Sequence, residues 1–248
     1  VVMPGVGTFV VSLTQVGYGE MQVTTLANQD GTGEFFTAND FAVGLSYARK
    51  IANWFSFGAT AKMINSQIWH ESASAFAVDL GVIVKTQFFS PTGEKGNGLD
   101  IGMSISNYGS RMQYDGIDLI QPIDISIDET GNYGDVIGQY RTQAWELPLM
   151  FRIGLSYKPI QTSFSSLTLA ADALHPNNNS ESINVGAEYA LKISNAGKFF
   201  VRGGYKALYM DETEFGLTAG GGIELFARGN RSVKVDYAFK EAGILGRT

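Results

Sequence analysis

Few residues in this sequence could carry acid–base or metal chemistry. There are two histidines, His70 and His175, and no cysteine in 248 residues, so neither a thiolate metal site nor a disulfide framework is available. Asp172 lies three residues before His175, the type of Asp–His pair that omptin-type proteases use. The competing reading is a turn, because Pro176 fixes a bend that Asn177 to Asn179 tolerate. The turn reading is preferred, and no catalytic residue is expected. Asn28-Gln29-Asp30-Gly31-Thr32-Gly33-Glu34 sets oxygen ligands at alternate positions around two glycines, as a calcium loop does. It lacks a flanking helix and the full twelve-residue spacing, so a plain glycine-rich loop is the leading reading. No cofactor is expected, although calcium bridging at acidic loops stays open.

A second set of titratable side chains is larger and more regular. Lys62, Asp79, Asp100, Arg152, Asp172, Glu188, Arg202, Glu224 and Asp236 each fall inside a run of alternating residues. In 232–240, Val233, Val235, Tyr237 and Phe239 alternate with Ser232, Lys234, Asp236, Ala238 and Lys240. A strand separates those two sets onto opposite faces, whereas a helix would mix them. Val78, Leu80, Val82 and Val84 alternate with Asp79, Gly81, Ile83 and Lys85; Leu149 to Lys158 and Ile183 to Lys192 behave alike. About eleven such strands are expected, near 7–18, 40–49, 55–65, 75–86, 99–107, 146–158, 164–172, 182–191, 198–206, 215–226 and 232–240.

Charges in mid-strand decide between two all-β architectures. A dry sandwich core could not hold this many ions without a severe desolvation cost. The expected fold is a transmembrane antiparallel β-barrel, with an apolar band facing lipid and the nine charged residues facing a polar lumen. Runs of about ten residues match the length that crosses the hydrocarbon layer at a tilt near 45°. Tyr47, Phe55, Tyr157, Tyr189, Phe199, Tyr205 and Tyr237 lie near run ends, as an interfacial aromatic girdle requires. No apolar stretch reaches the roughly 18 residues of a spanning helix, and mean hydropathy is −0.00. Both signs are interleaved along the lumen face, so paired ions are expected there rather than a single-sign selectivity ring.

Connections alternate in length. Lys50–Trp54, Pro159–Ser163, Lys192–Gly197 and Ala227–Arg231 are short, whereas Ser66–Ser74, Tyr108–Trp145, Ala173–Glu181 and Ala207–Glu214 are longer. Gln87–Gly98 breaks the pattern. Short periplasmic turns and long extracellular loops are the rule in outer-membrane barrels. Acidic residues gather on the long-loop side and basic ones on the other. Net charge is −6 with no basic stripe, so nucleic acid is not an expected partner. Residues 1–248 read as one domain, and eleven strands would leave the two ends on opposite sides. An even strand number then calls for a further C-terminal strand outside this sequence.

The stretch Tyr108–Trp145 is too long for an ordinary loop and too apolar for disorder. Tyr114, Ile117, Leu119, Ile120, Ile123, Ile125, Ile127 and Tyr133 are its candidate contact residues. It reads as a lid on its own barrel, as a docking surface for another protein, or as both.

Several segments resemble the PorV/PorQ family of outer-membrane proteins, which share the FadL-like architecture. Met21 to Thr25 with Gly31 to Phe36 is similar to the family's early loop, and Asp40 to Lys50 to its next strand. Ala77 to Val82 and Ile101 to Gly109 resemble central strands; Leu147-Pro148-Leu149 and Asp172 to Asn177 are the most family-like runs. The resemblance implies a barrel of about 14 strands when complete, with an N-terminal segment and a last C-terminal strand outside this sequence, in the bacterial outer membrane, in contact with lipid and lipopolysaccharide. It implies a non-enzymatic role in type IX secretion, receiving or attaching cargo through extracellular loops with secretion-system or cell-surface protein partners. Two alternatives remain: a FadL-like diffusion channel for hydrophobic molecules, and a structural barrel within a larger cell-surface assembly.

Overall fold

The computed structural model describes residues 1–90, 93, 98–126, 128, 136–193, 196–210, 213–227 and 231–242. Its strands are β1 (Val2–Met3), β2 (Gly7–Gln22), β3 (Phe35–Ala52), β4 (Phe55–Ile68), β5 (Glu71–Lys85), β6 (Asp100–Gly109), β7 (Asp115–Gly116), β8 (Ile120–Ile123), β9 (Val136–Gln139), β10 (Met150–Gln161), β11 (Ser165–Pro176), β12 (Ser182–Ile193), β13 (Gly197–Leu208), β14 (Phe215–Ala227) and β15 (Arg231–Ala242). One 3-10 turn, Ile117–Leu119, is the only helical element among the described residues, and none of these could cross a membrane as a helix.

Eleven long strands fall where the period-two alternation places them, and they form one large antiparallel sheet. Its order is β1-β2-β3-β4-β5-β6-β10-β11-β12-β13-β14-β15, with β7 paired to β5. Each long strand thus lies beside its neighbours in sequence. The one long connection, between β6 and β10, carries β7, β8 and β9; the last two form a separate two-stranded sheet.

Several boundaries differ from the sequence reading: β2 runs on to Gln22, β10 begins only at Met150, and β11 continues through Pro176, so the run preferred as a turn after Asp172 is strand. β3 begins at Phe35, and β5 begins at Glu71, which reduces the expected loop Ser66–Ser74 to the two-residue turn Trp69–His70. Trp69 adopts the left-handed backbone such a turn requires, with φ 52°. Ser72-Ala73-Ser74-Ala75 carries no large apolar side chain, so its strand character is invisible to an alternation test. The alternation expected over 78–85 also holds only in part: Leu80 is exposed as expected, but Ile83 is exposed while Val82 and Val84 are half-buried.

The chain divides into two compact units. In the first, Val1–Tyr47, Ala59–Asp79 and Asn107–Leu147, a small core forms from Ala73, Ala75, Ala77, Met112 and Leu147, with Ile64 and Tyr114 packed against it. Three alanines on one face of β5 leave room for Met112, Tyr114 and Leu147 to pack close to the strand. Met112 and Trp145 clamp the root of this insertion by two reciprocal backbone bonds of 2.9 Å.

In the second unit, Ala48–Gly58, Leu80–Ser106 and Pro148–Thr248, Ala207 is the one buried hydrophobic side chain among the described residues. The register explains why. Met103, Ile153, Ala173 and Ile183 line up across β6, β10, β11 and β12, as do Leu167, Tyr189, Val201, Gly221 and Tyr237 across β11 to β15. That apolar face is open: Val201 is 65% exposed and Tyr237 74%. The whole chain leaves 17559 Å² accessible, whereas a soluble globular protein of its mass leaves about 10,800 Å².

Candidate functional site

The opposite face of the same strands is polar. One row joins Thr168, Glu188, Arg202, Gly220 and Ala238 across β11 to β15; the next joins Ala190, Phe200, Gly222 and Asp236. Asp100 lies opposite Ser156, Arg152 opposite Ser104, Asp172 opposite both Gly154 and Asn184, and Glu224 opposite Lys198 and Lys234. Seven of the nine charged candidates therefore share one face. The other two, Lys62 and Asp79, meet in the first unit. Lys62 Nζ is 2.7 Å from Asp79 Oδ1 and also donates to Asn107 Oδ1 at 2.5 Å. Asn107 takes a left-handed backbone, φ 62°, and its N–H donates to the same Asp79 carboxylate.

Among the described residues, Arg202 is the centre of the largest ion network. Its Nε donates to Glu188 Oε2 on the neighbouring strand, and its Nη1 donates to Asp236 Oδ1 two strands away, both at 2.6 Å. The long reach crosses β14 at Gly220 and Gly222. A Cβ at Gly222 would collide with Asp236 Oδ1, so the glycines give the carboxylate and guanidinium room to meet over the sheet. Lys234 lies 3.5 Å from Asp236, and the Phe200 ring faces both Arg202 and Lys234 at 5.1 and 4.6 Å. Among the described residues, Asp100, Arg152, Asp172 and Glu224 form no ion pair.

Removing the central cation leaves two carboxylates facing each other, so Arg202→Gln should lower the unfolding midpoint in urea. The loss should exceed that of Arg111→Gln, whose pair with Glu146 is 66% and 60% exposed and so contributes little. Glu188→Gln in the same chain should recover part of the loss, and no recovery in the double variant would rule out the charge explanation.

The histidines are placed apart from any shared chemistry. Asp172 projects from the polar face of β11 and His175 from the apolar one, because three residues separate them on a strand. The Asp172–His175 pair considered from the sequence therefore does not form. His175 Nδ1 instead lies 2.7 Å from Glu181 Oε1 across the β11–β12 connection. His70 stacks on Trp69 at 4.6 Å and lies 3.0 Å from Asp118 Oδ2 in the insertion. The loop of residues 23–34 is closed by Val23 and Thr32 backbone bonds, and Gly31 and Gly33 supply φ of 112° and 88°. Among the described residues, no group of three or more acidic or histidine side chains is arranged to hold a metal ion.

The chain matches no protein-family model and no curated protein.

The insertion sorts its own candidates. Tyr114 turns inward: its hydroxyl lies 2.7 Å from Ser66 Oγ and its ring 5.1 Å from that of Trp145. Ser66 in turn donates to Asp40, which also accepts from Tyr18. Ala73, Ala75 and Ala77 share the face of β5 that carries Asp79, so the root of the insertion covers the polar side of this strand. Leu119 and Ile123 are half-buried, whereas Ile117, Ile120 and Ile125 are exposed. Ile127 and Tyr133 lie outside the described residues. Sequence reading missed Ile137, which is 79% exposed. It belongs to β9 opposite Pro122, and a four-residue strand interrupted by glycine carries too little alternation to be noticed.

Proposed function

We propose that this protein is a non-enzymatic outer-membrane β-barrel of the PorV/PorQ type that docks secreted cargo or a secretion-system partner through residues 110–147. The observation that carries the membrane reading is the open apolar face, continuous in register over seven strands and backed by a charged one. Water would penalise such a face at roughly 25 cal/mol per Å², and a bilayer removes that penalty. Strands β10 to β15 hold 12 or 13 residues each, enough for the roughly 9–11 that a tilted strand needs to cross. β2 to β5 hold 14 to 18, and their surplus supports the insertion beyond the outer leaflet, where lipopolysaccharide surrounds it. On this reading the polar face lines the lumen. A hydrophobic diffusion channel fits less well, because its solute would pass a wall bearing Arg202, Glu188 and Asp236.

The docking reading rests on the exposed isoleucines of the insertion. Ile117, Ile125 and Ile137 are 66%, 64% and 79% exposed, and a partner that covers them would remove that apolar surface from water. Deleting 117–139 while keeping the Met112–Trp145 clamp should leave a heat-modifiable barrel in the outer membrane and abolish recovery of its partner. Undiminished partner recovery from the deletion would defeat the docking reading.

A further inference from the structure

We propose that the open edge of β9 accepts an extended, basic segment of a partner polypeptide as a third strand. The proposal rests on the docking reading above and specifies what docks and where. β8 and β9 form a sheet of only two strands, joined to no other strand among the described residues. A two-stranded sheet is marginal by itself, and an unpaired edge is a template for a further strand.

The two edges are not equivalent. Tyr140 N donates to Leu119 O at 2.8 Å, which fixes the hydrogen-bonding phase of the hairpin. Residues 121 and 138 then bond to each other, while residues 120 and 122 on β8 and 137 and 139 on β9 turn their backbone groups outward. On β8 the outward N–H groups are absent or engaged. Pro122 has none, and that of Ile120 donates to Ile117 O in the 3-10 turn. On β9, Ile137 and Gln139 both keep an N–H and a C=O on the outer side. The proline and the turn therefore block one edge and leave the other open.

Side chains and charge define the incoming segment. Among the described residues of the hairpin, Ile137 is the most exposed large apolar one, so an apolar side chain beside it would be covered by pairing. Residues 108–145 carry Asp115, Asp118, Asp124, Asp128, Glu129 and Asp135 against Arg111 and Arg141. A strand alternating basic and apolar residues is complementary to both features, and the charges would steer its approach.

The test uses the full chain in detergent micelles and a fluorescent ten-residue peptide alternating lysine and valine. Binding is expected to be equal for the native chain and Gln139→Ala, and at least about tenfold weaker for Gln139→Pro. The proline removes an outward N–H that the hairpin ladder does not use. The peptide should also lose binding when its backbone nitrogens are methylated along one edge, but not along the other; this arm leaves the protein unaltered. A glutamate–valine peptide should not bind. Equal binding by Gln139→Pro and Gln139→Ala, equal binding of both methylated frames, or no binding by the native chain would each overturn the edge proposal. The docking reading fails separately, if deletion of 117–139 leaves partner recovery intact.

Discussion

Leu155→Arg is expected to cost about 2–4 kcal/mol of stability in a bilayer, while Ser156→Arg, one residue along, is expected to be close to neutral. Leu155 lies in the middle of β10, opposite Ile101 on β6 and Ala171 on β11, and is 43% exposed on the apolar face. A guanidinium there would have to leave water for hydrocarbon near the midplane. Ser156 projects from the other face, opposite Asp100. Asp100 Oδ1 is buried without a hydrogen-bond partner, and an arginine at 156 would bring it a donor. The two positions are adjacent on one strand, so their difference reports on what each face meets, the Asp100 contact included. Urea unfolding of the two variants in lipid vesicles measures it. Equal destabilisation would show that the two faces are not separated as proposed, and a milder Leu155→Arg would invert the assignment.

Gly109→Ala is expected to cost about 1–3 kcal/mol, toward the upper end, through overpacking against backbone that cannot swing aside. A Cβ at Gly109 would strike Phe76 O and come within 2.7 Å of Ala77 Cα. Phe76 is held there from both sides, since its N–H donates to Ser110 Oγ at 3.0 Å and its carbonyl accepts from Ser110 N at 2.9 Å. The close approach lets the chain leave β6 and set Met112 and Tyr114 directly against the alanine face of β5. The damage should therefore be local. Hydrogen exchange should accelerate at Phe76, Ser110 and Met112 with little change in β12 and β13. Gly203→Ala is the control, because its Cβ would meet nothing within 4 Å. Exchange that rises evenly over all strands after Gly109→Ala would show that the insertion is not rooted at this contact.

Sequence and structure divide these conclusions unevenly. Alternation alone determined that β10 to β15 are strands and which residues share a face, because a pleated backbone forces period two on any strand with one apolar side. It therefore placed Glu188, Arg202 and Asp236 on the polar side. It could not show that Arg202 joins the other two, since Asp236 is two strands away and the contact depends on Gly220 and Gly222 in the strand between them. Nor could it separate Asp172 from His175 with certainty, because either a turn or a continued strand suits that run. Structure decided it by extending β11 through Pro176. The insertion was legible as an anomaly of length and composition. What each isoleucine faces was not legible, because β8 and β9 are four residues each and draw their order from pairing and from the Met112–Trp145 clamp. Local patterning is written in adjacent residues. Register, glycine clearances and strand edges exist only once segments far apart in the chain lie side by side, and these decide which charges pair and which edge of the hairpin stays open.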